Sequence, residues 1–126
     1  MALLPPRNVR VAPLSMPQSG GTVTLTFEAD TTGGATRLKA TYTVPAPQPY
    51  VFENATGADP RVIEGGPQAV TGVPADFPQE LKLKKSIAGP SGLINVRVSV
   101  SVVEVDGNGK TVPPPFRLTG RVRLVP

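Results

Sequence analysis

The sequence predicts an all-β protein built as an antiparallel two-sheet sandwich. Three observations point that way. Apolar and polar residues alternate with a period of two over several separate stretches, the mark of half-buried strands. Turn-forming clusters of Gly, Pro, Asn and Asp recur about every ten residues. No stretch shows a convincing helical periodicity, and Gln79 to Ile87, long enough for two turns, alternates instead.

The strands are expected as follows. Asn8 to Ala12 is a short first strand behind Pro5 and Pro6, and Pro13 to Gly21 is a turn-rich connection. Thr22 to Asp30 places Val23, Leu25, Phe27 and Ala29 on one face and Thr22, Thr24, Thr26 and Glu28 on the other. After the turn Thr31 to Gly34, the stretch Ala35 to Val44 turns Leu38, Ala40, Tyr42 and Val44 inward and Arg37, Lys39, Thr41 and Thr43 outward. Gln79 to Ile87 buries Leu81, Leu83 and Ile87, with a bulge or strand end at Lys85. Leu93 to Asp106 is the longest candidate, with Ile94, Val96, Val98, Val100 and Val102 inside and a change of phase at Val103 and Val105. Asp106 to Gly109 is a hairpin turn, because Gly and Asn accept positive φ cheaply. Phe116 to Val125 closes the set, with Phe116, Leu118, Val122 and Leu124 inside and Arg117, Thr119, Arg121 and Arg123 outside.

The chain, 126 residues with 16 Pro and 13 Gly, is expected to form one domain over residues 1–126. Residues 1–7 are expected to be an N-terminal arm, and residues 45–78 a long Pro/Gly-rich extended segment. That segment holds seven prolines, which remove ladder donors and belong at edges and loops. Short edge strands at Tyr50 to Glu53 and Arg61 to Glu64 are compatible with it. A connection of this length is often functional.

Three stretches resemble the immunoglobulin-like sandwiches, and fibronectin type III modules above all. Pro5 to Val11 is similar to the lead-in and first strand of such modules. Gly21 to Phe27 is similar to the second strand, with Phe27 where the family usually has Trp. Val98 to Pro114 is similar to the sixth strand, its hairpin and the start of the seventh. The absence of Trp and the Pro-rich middle depart from the family pattern. The resemblance implies an immunoglobulin-like fold, no catalytic residues, and a role in binding, spacing or display, as on phage particles and cell surfaces.

Composition removes many chemistries. There is no Cys, His or Trp. Disulfides, thiolate nucleophiles, His-based triads and ordinary zinc or copper sites are therefore excluded. Gly109-Lys110-Thr111 matches the end of a phosphate-binding loop, but Glu104 stands where a glycine is needed and prolines follow where a helix should. Asp106 to Gly109 suggests a calcium loop, yet Lys110 and Arg117 occupy ligand positions. Glu28 with Asp30, and Glu104 with Asp106, are the carboxylate pairs a glycosidase would need; each reads as a solvated pair near a strand end. No catalytic residue, cofactor or metal is expected. The match Asn54-Ala55-Thr56 to a glycosylation acceptor is given no function.

The most informative constellation is basic. Net charge is +4, and Arg117, Arg121 and Arg123 share a face of the last strand. In the immunoglobulin arrangement that strand lies in one sheet with the strands carrying Arg37, Lys39 and Arg97. Six cations would then decorate one face and attract an anionic partner: an acidic protein surface, nucleic acid or a charged polysaccharide. Nucleic acid is the weaker version, because the outward neighbours are Ser and Thr rather than stacking aromatics. The competing reading is a solvated outer face guarded against edge pairing.

The functional expectation is a non-enzymatic structural or interaction protein, an accessory component of a virion such as a phage capsid decoration or tail protein. It would contact other subunits with acidic surfaces, as a homo-oligomer or in a hetero-complex. The start, MALLPPRNVR, is too short in apolar residues for a secretory signal, and no stretch approaches the roughly 18 apolar residues of a membrane span. Synthesis in a host cytoplasm and residence in the virion are thus expected, with the cell surface as alternative. The alternative function is a surface or enzyme-appended module binding carbohydrate or protein. For it, Tyr50, Phe52 and Phe77 would have to line an exposed strip.

Overall fold

The computed structural model describes residues 3–34, 37–45, 48–70, 75–85 and 93–125. Ala35, Ile87, Met1 and Ala2, on which parts of the expectation fall, lie outside the described residues. The described chain is all-β, with nine strands: β1 (Leu4–Ala12), β2 (Ser15–Pro17), β3 (Gly20–Asp30), β4 (Arg37–Thr43), β5 (Tyr50–Phe52), β6 (Val62–Ala69), β7 (Ala75–Lys85), β8 (Asn95–Val105) and β9 (Thr111–Val125). They form two sheets, one ordered β1-β3-β7-β5 and the other β2-β9-β8-β4-β6. The four-stranded sheet curls into a half-barrel. All described pairings are antiparallel except β2 with β9.

One hydrophobic cluster draws on both sheets. Val23, Leu25 and Phe27 of β3 and Phe77, Leu81 and Leu83 of β7 come from one; Leu38, Ala40 and Tyr42 of β4 and Val96 to Val102 of β8 come from the other. Alternation explains the choice of faces, since successive side chains in a strand point to opposite sides. Phe27 and Phe77 are cross-strand partners and stack with centroids 4.9 Å apart. Burying each such ring contributes roughly 1.5–3 kcal/mol. Gly120 faces inward on β9. A Cβ there would meet Leu25 Cδ1 at 2.5 Å, so the missing side chain leaves room for Leu25 of β3 to pack against the β9 backbone.

The Pro-rich segment 45–78 supplies β5, β6 and the start of β7. β5 and β6 are edge strands, one in each sheet, and β6 carries Pro67, whose missing N–H suits an edge. Arg61 donates from Nη1 to the carbonyls of Gln48 at 2.7 Å and Val44 at 3.3 Å, tying the loop before β5 to the loop before β6.

Several expectations need correction. Leu4 to Arg7, expected in an arm, run within β1, and Leu3 is buried. The turn-rich connection after β1 contains β2, which crosses to the other sheet. β7 starts at Ala75 and β9 at Thr111, earlier than alternation alone suggested. Each passes through prolines at exposed positions, where a lost donor costs little. Ile94 lies outside the strand and is 75% exposed. At the far end of β8 the phase persists past Val102, so Glu104 rather than Val103 turns inward, and Val105 is buried too. The register of β8 against β9 shifts between Val102 and Glu104.

Candidate interaction surface

β9, β8 and β4 are adjacent in the five-stranded sheet, and their inward sets are fixed by Val122 and Leu124, by Val96 to Val102, and by Leu38 to Tyr42. The opposite faces of these strands therefore lie together. Arg117, Arg121 and Arg123 on β9, Arg97 on β8, and Arg37 and Lys39 on β4 all project from that outer face. Arg37, Arg97, Arg117, Arg121 and Arg123 are exposed; Lys39 is half-buried.

Register divides the six into two groups. Arg97 is the direct cross-strand partner of Arg121, and Asn95 is that of Arg123, which gathers three guanidinium groups at one end of the sheet. Arg117 pairs with Ser101, and Lys39 with Val103, towards the other end. Between the groups lie hydroxyl side chains, with Ser99 opposite Thr119 and also opposite Thr43.

Acids do not balance this face. Among the described residues of the sheet the acids are Glu64, whose Oε1 is 3.4 Å from Lys39 Nζ, and Glu104, which is turned inward and 5% exposed. The outer face of the four-stranded sheet is different. There Glu28 and Asp30 are engaged by Arg7, Glu28 and Asp76 by Arg10, and Glu80 by Lys82. Charge is mixed and largely paired on one face, Lys84 being outside the ion pairs among the described residues, and almost wholly positive on the other.

One side-chain amide positions Arg97. The side-chain amide of Gln48 brackets the Arg97 peptide: Arg97 N–H donates to Gln48 Oε1 at 2.7 Å, and Gln48 Nε2 donates to the Arg97 carbonyl at 2.9 Å. The amide thus continues the ladder past the end of β4 and holds Arg97 in strand geometry. Asn54 does the same for β7, accepting from Lys82 N–H and donating to the Glu80 carbonyl. Neither role was visible in the sequence, because any loop Gln or Asn can make such bonds and only folding decides which peptide it meets.

The aromatic residues fall elsewhere. Tyr50, Phe52 and Phe77 are all buried, so these candidate interaction residues do not form the exposed strip that the carbohydrate alternative requires. β5 and β7 carry them on inward positions, where ring burial outweighs any polar alternative. Tyr50 donates its hydroxyl to the Gln18 carbonyl at 2.5 Å, and burial pushes its phenol pKa up. Tyr42 is buried with its hydroxyl unpartnered among the described residues, and desolvation raises its pKa strongly.

The carboxylate pairs do not face each other across a cleft. Asp30 accepts hydrogen bonds from the hydroxyl and N–H of Thr32, which hold its carboxyl below the usual range; nearby Arg7 adds to this and partial desolvation opposes it. Asp106 Oδ1 accepts from Asn108 and Lys110 N–H and shapes its own turn. Glu104, expected to be solvated beside it, is buried on the inner face.

A shallow open cleft of about 270 Å³ lies between β1 and β9, lined by Val9, Arg10, Val11 and Leu14 on one side and Thr119, Gly120 and Arg121 on the other. Leu14 is 76% exposed. In comparisons with known proteins, the chain matches no family model, no curated protein and no solved structure.

Proposed function

We propose that this protein is a non-enzymatic interaction module, an immunoglobulin-like sandwich serving as an accessory subunit of a larger assembly such as a phage particle. It docks onto an acidic protein surface through the outer face of its five-stranded sheet. The observation that carries this reading is the unequal division of charge: six cations against Glu64 on one outer face, and largely paired charges on the other. Arginine suits such an interface because its planar fork pairs bidentately with carboxylates. The two strand orders, with β2 joining β9 in parallel, support the immunoglobulin-like architecture. The burial of Tyr50, Phe52 and Phe77 weighs against carbohydrate, which needs exposed rings to stack on. Ser and Thr between the basic groups weigh against single-stranded nucleic acid for the same reason.

The test is a binding titration with polyglutamate, heparin and a single-stranded oligonucleotide at low and raised salt. Tightest binding is expected for polyglutamate, weakening with salt, and lost in an Arg117→Ala, Arg121→Ala, Arg123→Ala triple variant. Equal binding by the triple variant, or no polyglutamate binding at low salt, overturns the proposal. Preference for the oligonucleotide or heparin overturns the choice of partner.

A further inference from the structure

The edge of β9 next to the cleft is largely bare. β2 pairs with only the last part of the strand, Ser15 to Pro17 against Arg123 to Val125. On that side Arg123 N–H donates to the Leu14 carbonyl at 3.0 Å, whereas Leu124 N–H donates the other way, to Ile94. Main-chain groups alternate sides along a strand. Arg121, Thr119 and Arg117 therefore direct their N–H and C=O groups towards the same open side as Arg123. Among the described residues none of the three has a main-chain partner there. Beyond Arg117 the run Pro113 to Pro115 has no N–H to offer. The bare ladder is thus bounded by prolines at one end and by the Leu14 bond at the other.

Building on the docking role of the basic face, we propose that the partner is held by strand addition: an extended acidic peptide segment pairs with β9 along Arg117 to Arg121, continuing the line of β2. Two properties of this edge select the occupant. Its outward side chains are Arg117, Thr119 and Arg121, with Arg97 and Arg123 beside them, so alternate peptide side chains on that face are carboxylates. The intervening peptide side chains point to the other face, over the cleft walled by Val9, Val11 and Leu14, and are apolar; Arg10, which also lines the cleft, is engaged by Glu28 and Asp76. Main-chain bonds supply the affinity and the alternating side chains the selectivity. The edge also lacks an acid or bulge of its own that would repel such a strand, whereas the flanking prolines limit its length.

The test uses the whole protein, ¹⁵N-labelled, and a capped peptide Thr-Glu-Val-Ser-Val-Glu-Thr, which reads the same in either direction. Two further peptides carry N-methyl groups on one or the other alternate set of amides. The expected result is salt-sensitive binding of the parent peptide and slowed amide exchange at Arg117, Thr119 and Arg121. One methylated register should bind about 100-fold more weakly, the loss expected for about three hydrogen bonds, and the other should bind like the parent. If both methylated peptides bind like the parent, strand addition is overturned and the basic face alone stands as the docking surface. If no peptide binds while polyglutamate does, strand addition is overturned and the basic face stands; if polyglutamate does not bind either, both readings fall. If the three amides are already protected and light scattering gives the mass of a dimer, the occupant is a second copy of this chain and the acidic-peptide proposal is overturned.

Discussion

Arg97 and Arg121 sit directly opposite each other on β8 and β9, two exposed guanidinium groups with no described acid between them. Like charges in direct cross-strand register are destabilising. The Gln48 amide fixes the backbone of Arg97 so that the pair cannot part by fraying. Replacing Arg121 by Thr should therefore stabilise the isolated protein by about 0.5 kcal/mol at low salt, with a smaller gain at high salt. The same variant should bind polyglutamate more weakly. Thermal unfolding at two ionic strengths checks the first expectation, and the polyglutamate titration checks the second.

Tyr42 carries a buried hydroxyl without a described partner. A buried polar group left unpaired costs roughly 1–3 kcal/mol, and Tyr42→Phe removes it while keeping the ring. The variant should unfold at higher urea with an unchanged m-value, a gain of about 1 kcal/mol. A loss of stability instead would mean that the hydroxyl is satisfied in solution.

Gly20 holds a φ of +119°, and a Cβ there would run into the Leu83 carbonyl across the β3–β7 pair. Gly20→Ala should cost about 1–3 kcal/mol, since both the dihedral and the close approach are lost. Gly57 is the control: a Cβ added there would meet nothing within 4 Å. Gly57→Ala should be neutral or slightly stabilising, through the unfolded chain. Paired denaturant curves of the two variants decide it.

Asp30 predicts a pH dependence. Hydrogen bonds from Thr32 lower its folded pKa below the ordinary 3.8, so the unfolded chain binds its proton more readily. The stabilisation is present above the unfolded value and is lost as pH falls through the lower folded value. Wild-type protein should lose stability more steeply than Asp30→Asn below about pH 4. Unfolding midpoints of both proteins between about pH 5 and pH 2 test this, the two curves running parallel if Thr32 does not bond the carboxylate.

Alternation along the chain already determined which residues face inward on β3, β4 and most of β8, and that Arg117, Arg121 and Arg123 share a phase. These are consequences of local strand geometry, in which every second side chain points the same way. Proline chemistry likewise pointed to edge positions in residues 45–78, which holds for β6 with its Pro67 but not for β7, whose Pro78 lies in a strand between β3 and β5. Tertiary structure alone decided what local pattern cannot encode. It paired β8 with β9 so that Arg97 meets Arg121, and it turned Tyr50, Phe52 and Phe77 into the core. It also drew Glu104 inside and left Ile94 out, against their polarity. Neighbour order and register are set by contacts distant in sequence, through the packing of both sheets on one core, and those contacts outweigh the preference of any single side chain.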